Sequence, residues 1–146
     1  MGQGLMFLAC CFFLVLLVPL LLFLLTYVYR LACTLSGLPK PSVISATGVM
    51  LVTVVSVGVA ESIMGWAVEE SCASAGLPRW EAGVITFFLA LPVDLLISSA
   101  IHARLTSMRF GKAIEVWFIQ RLIYLVILAA IVFVAALYVL IKQMNG

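Results

Sequence analysis

Four long apolar runs constrain this chain more than any other feature. They cover about 5–29, 43–66, 82–103 and 122–141, and each is close to or above the about 20 residues that cross a bilayer as a helix. The runs are continuous rather than alternating, so they predict helices and not the strands of a barrel. Of the 146 residues, 66% are hydrophobic and only 10% charged, against about 45–50% and about 25% in a soluble domain. A soluble fold of this size cannot hide that much apolar surface. The predicted fold is therefore all-α: an antiparallel four-helix bundle of transmembrane spans with short connections, forming one domain over 1–146.

The first run, "LMFLACCFFLVLLVPLLLFLLTYVY", has no basic segment before it, an apolar core too long for a secretory signal and no clean cleavage site. It reads as a retained helix that mostly faces lipid, kinked at Pro19. Orientation follows from Lys and Arg near the span ends. The first connection carries Arg30 and Lys40, and the third carries Arg104, Arg109, Lys112 and Arg121. The second has Arg79 alone, and the tail has Lys142. Placing the basic-rich connections in the cytoplasm puts both termini on the non-cytoplasmic side of a plasma or inner membrane. The third connection is too apolar for a plain loop. Ile114, Trp117 and Phe118 share a helical side, which predicts a segment lying in the headgroup region. Trp66 and Trp80 at the outer end, with Arg104, Arg109, Lys112 and Trp117 at the inner end, are the expected interfacial anchors.

Two short stretches echo one another. "CTLSGLPK" begins at Cys33 and "CASAGLPR" at Cys72, each just before a span. They read either as an inverted repeat or as punctuation, in which Gly ends one helix and Pro starts the next. The four cysteines, Cys10, Cys11, Cys33 and Cys72, contain no metal-binding spacing and read as small apolar residues.

The chemistry concentrates in "ALPVDLLISSAIHARL". Asp94 falls near the centre of the third span, where a carboxylate costs about 2.5–3.5 kcal/mol to insert. Protonation, a partner or a water-filled cavity relieves that cost. Asp94, Ser98 and His102 recur every fourth residue and so descend one helical face. On the second span, Gly58, Glu61, Ser62 and Gly65 share a face, with Glu61 roughly 10 Å nearer the outer surface than Asp94. These positions define a candidate proton or cation path through Glu61, Asp94, Ser98 and His102, and a candidate helix-packing surface at Gly58, Ser62 and Gly65. No basic residue lies deep in a predicted span to pair with Asp94, which predicts a protonated carboxyl or a partner from another chain.

The sequence holds no nucleophile elbow, no H-E-x-x-H and no phosphate loop. Ser98, His102 and Asp94 on one helix face cannot adopt triad geometry. No basic stripe with interleaved aromatics suggests nucleic acid. No cofactor or metal is expected. The expected role is a non-catalytic assembly or accessory component of a homo- or hetero-oligomeric membrane complex, with lipid as its other partner. The alternative is a small oligomeric channel or transporter that uses Asp94.

Overall fold

The computed structural model describes the backbone from Gly2 to Met144 and the side chains from Val15 to Gln143. Cys10 and Cys11 lie outside the described side chains. Four helices follow one another: α1 (Gly2–Leu35), α2 (Val43–Ser74), α3 (Arg79–Leu105) and α4 (Phe110–Met144). Among the described residues there is no strand. Each helix contains a stretch long and apolar enough to cross a membrane.

The ends of the helices are written in local chemistry. Gly37 and Gly76 hold φ values of 73° and 72°, a left-handed conformation that glycine adopts without a side-chain penalty. At the first, Leu38 N–H donates to Cys33 O at 2.9 Å and Gly37 N–H to Thr34 O at 3.1 Å. At the second, Leu77 N–H donates to Cys72 O at 2.9 Å and Gly76 N–H to Ala73 O at 3.2 Å. Both are Schellman caps, with the leucine folding back toward a buried cysteine. The echo between "CTLSGLPK" and "CASAGLPR" is thus one capping device used twice. Ser42 then caps α2, its hydroxyl accepting from Ser45 N–H at 3.1 Å, and Pro78 stands at the N-cap of α3.

α1 packs on α2, α2 on α3, α3 on α4, and α4 closes back on α1. The diagonal helices meet only through side chains, such as the Tyr29 ring against the His102 ring at 4.8 Å. The core lies at the end that holds the first and third connections. There Tyr29, Ala32, Cys33, Ala46, Val49, Met50 and Val116 pack together. Lys112 Nζ ties the start of α4 to the end of α1 by donating to Ser36 O at 3.2 Å. Away from this end the helices separate. From Leu128 to Gln143 every residue of α4 is exposed.

The third connection differs from its expected form. Only 106–109 lie between α3 and α4, and α4 then runs without interruption. Ala113, Val116, Trp117 and Gln120 are buried at helical spacing, so this segment forms the fourth wall of the bundle rather than a helix lying at a surface. Charge near Lys112 and Arg121 had suggested a membrane boundary, but beyond Gly111, in the first turn, neither Gly nor Pro interrupts the segment up to Arg121, and its apolar face has the neighbours that hold it inside.

Candidate functional site

Asp94 projects from α3 about 16 Å along the axis from Leu105, and Arg121 projects from α4 about 16 Å from Phe110. Because the two helices are adjacent and joined by a short turn, the two side chains reach the same level. The Arg121 Nη2 group donates to Asp94 Oδ2 in an ion pair. Two further donors complete the carboxylate. Ser98 Oγ, one turn along α3, donates to Oδ1 at 2.7 Å, and Trp117 Nε1 donates to Oδ2 at 3.1 Å. Arg121 lies over the Trp117 ring at 5.4 Å and near the Tyr124 ring at 5.8 Å. The expectation that Asp94 lacks a basic partner within its own chain is therefore corrected. Arg121 had been assigned to the connection, and the uninterrupted α4 carries it to the level of Asp94.

This arrangement borders a cavity of about 320 Å³ that all four helices line. α1 supplies Leu25; α2 supplies Met50, Thr53, Val57, Gly58 and Glu61; α3 supplies Asp94 and Ser98; α4 supplies Trp117, Gln120, Arg121 and Tyr124. The Asp94 side chain is 6% exposed and that of Arg121 is 47% exposed, so the guanidinium faces the open space. Glu61 on α2 is half-buried and within coulombic reach of Arg121, but makes no hydrogen bond or close ion pair among the described residues. The Tyr124 hydroxyl is buried and unpartnered.

Of the expected path, Glu61, Asp94 and Ser98 come together at this cavity. His102 does not line it. It lies one turn beyond Ser98, 1% exposed, its ring tilted against that of Tyr29, with neither ring nitrogen hydrogen-bonded. Beside it the Tyr29 hydroxyl and Ser99 Oγ are also buried and unpartnered. Tyr29 in turn lines a second cavity of about 260 Å³ with Cys33, Leu38, Thr106 and Met108. A polar column thus continues from Asp94 toward the packed end, interrupted by groups that lack hydrogen-bond partners.

Of the expected packing residues, Gly65 faces α3, where a Cβ would stand 3.8 Å from Thr86 Cγ2. Gly58 and Ser62 are exposed, and a Cβ at Gly58 would meet nothing within 4 Å. Ser62 Oγ donates to Gly58 O at 2.7 Å. Among the expected anchors, Trp66 and Trp80 are exposed near the α2–α3 turn, and Arg104, Arg109 and Lys112 are exposed near the packed end. Trp117 is only 7% exposed, and its indole serves Asp94 instead of an interface.

Sequence reasoning missed Trp117, Gln120, Arg121 and Tyr124 as a group. Their signal is the spacing Ala113, Val116, Trp117, Gln120, Tyr124, a helical face that runs straight through the charges. Compared with known families, with curated proteins and with solved structures, the chain matches none of them.

Proposed function

We propose that this chain is a non-catalytic component of a homo- or hetero-oligomeric membrane complex. The observation that carries this reading is the outer part of α4. From Leu128 to Gln143 it is wholly exposed, although it holds Ala129, Ala130, Ala135 and Ala136. In lipid, apolar helices gain little by burying apolar area, and small residues matter because they let another backbone approach closely. Ser62, with Gly58 that also lines the cavity, offers a second such place on α2. Gentle extraction of the full chain followed by intact-complex mass spectrometry tests the reading. A defined stoichiometry with a second copy or a foreign subunit is expected, and its loss in a Gly58→Leu/Ser62→Leu chain would assign the surface. A monomer at every gentle extraction condition rejects the proposal.

A second reading, passage of protons or a cation, is favoured by the charged cavity and by the buried polar atoms of Ser99, His102 and Tyr29 beneath it. Unpartnered buried polar atoms call for water. In this reading Asp94→Asn abolishes proton flux in liposomes carrying the chain; flux no greater than in empty liposomes removes it.

The proposed orientation keeps both termini on the non-cytoplasmic side of a plasma or inner membrane. With Arg121 taken into the bundle, Arg30, Lys40, Arg104, Arg109 and Lys112 still outweigh Arg79 and Lys142. Cys33 and Cys72 are buried and label poorly. A chain with its native cysteines replaced should react with an impermeant maleimide in intact cells through Ser74→Cys and not through Lys40→Cys. The opposite pattern inverts the orientation.

A further inference from the structure

We propose that the cavity between the four helices binds a small organic amine in its ammonium form, with the charged nitrogen on Glu61 and the apolar body against Leu25, Val54 and Val57. The proposal does not depend on whether the chain assembles with others.

Charge comes first. The cavity walls carry Glu61, Asp94 and Arg121. Asp94 and Arg121 pair with each other, and Ser98 and Trp117 donate to Asp94 as well, so three donors already serve its carboxylate. Arg121 is within coulombic reach of Glu61 as well, but it is the one guanidinium set against two carboxylates, so the cavity walls carry one negative charge in excess. In surroundings of low permittivity such a charge attracts a cation far more strongly than it does in water.

Shape and chemistry then narrow the cation. A volume of about 320 Å³ is at the lower end of small-molecule sites, about 300–1,000 Å³. It is far more room than one bare ion fills. A calcium-like ion wants six or more oxygen ligands, and among the described residues Glu61 belongs to no cluster of metal-ligating side chains. Leu25, Val54 and Val57 provide an apolar wall instead. Arg121 already lies over one face of Trp117 and near one face of Tyr124, so a quaternary ammonium would compete with it for these rings. The buried Tyr124 hydroxyl has no partner, and it can accept a hydrogen bond. An ammonium that carries N–H groups has donors for that oxygen as well as for the Glu61 carboxylate.

Trp117 reports on the site. Replacing the exposed Trp66 and Trp80 by Phe leaves it as the single tryptophan of the full chain. The purified protein in nanodiscs is titrated with 2-phenylethylamine, and with 2-phenylethanol as the neutral control of similar shape. Saturable change in Trp117 emission is expected, with the amine bound at least about tenfold more tightly than the alcohol. Glu61→Gln should bring the amine down to the level of the alcohol while leaving helix content and elution volume unchanged. Equal binding of amine and alcohol by the unsubstituted site overturns the proposal without recourse to any Glu61 variant. Absence of saturable amine binding overturns it too, as does unchanged selectivity in Glu61→Gln.

Discussion

The packed end of the bundle and the open outer part of α4 are both rich in alanine, yet only one of them packs. At the packed end Ala32, Ala46 and Ala113 are fully buried. In outer α4, Ala129, Ala130, Ala135 and Ala136 are exposed. Both regions are apolar, and lipid solvates apolar helices about as well as another helix does. What separates them is polar contact. Around the packed end Thr26 Oγ1 lies 3.2 Å from Thr47 Oγ1, and Asp94 draws in Ser98, Trp117 and Arg121. Outer α4 has no such group to offer until Tyr138, which is itself exposed. Small residues permit close approach, and polar partners decide where it is used.

Removing one member of the charge pair should have the largest effect on the packed end. Asp94→Asn leaves Arg121 without its counter-charge, and Arg121→Gln leaves Asp94 buried beside neutral donors. Removing one member of a buried pair costs about 3–5 kcal/mol, and the half-exposed guanidinium places this pair at the lower end of that range. The double substitution should recover much of the loss, because neither charge is then stranded. Reversible unfolding of the four chains in bicelles measures the cycle. Losses that simply add would show that the two residues do not support one another.

The second test compares the two sets of alanines directly. Ala46→Leu inserts a larger side chain where no surface is left, and should cost about 1–3 kcal/mol by overpacking. Ala130→Leu adds the same atoms to an exposed position and should change stability by about 0.5 kcal/mol or less. The same unfolding assay reads both. A comparable cost at Ala130 would mean that outer α4 is packed after all, against a second molecule.

The helices were legible because apolar runs bounded by Gly and Pro leave few alternatives. The start of α2 at Val43 coincides with its expectation, since Pro39, Pro41 and Ser42 punctuate it. The far end of α2 was not legible. Glu69 and Glu70 looked like the edge of a span, but glutamate is a good helix former and the helix continues to Ser74. The same confusion of charge with boundary hid half of the site. Asp94 stood out because nothing near it in the sequence is charged, whereas Arg121 follows Arg109, Lys112 and Glu115 and reads as the last of a basic connection. Only the helical spacing from Ala113 to Tyr124 distinguishes a charge that faces the bundle from one that ends it. Tyr29 carried no signal in its own run, because its role depends on His102, two helices further along the chain.

A gain, rather than a loss, is expected at His102, and it separates stability from purpose. His102 is enclosed at the packed end with both ring nitrogens unpartnered, and its ring rests on Tyr29. His102→Phe keeps an aromatic ring against Tyr29 and removes the two nitrogens. An unsatisfied buried polar group costs about 1–3 kcal/mol, and the larger ring takes back part of that, so a gain of about 1 kcal/mol is expected. A loss of similar size would mean that the nitrogens are hydrogen-bonded to water held between Ser99 and Tyr29, and that the polar column is wet. If the gain is found, the packed end is more stable without its histidine than with it. A residue that weakens the tightest part of a bundle is kept for something other than the fold, and proton flux through the His102→Phe chain is then the quantity to compare with that of Asp94→Asn.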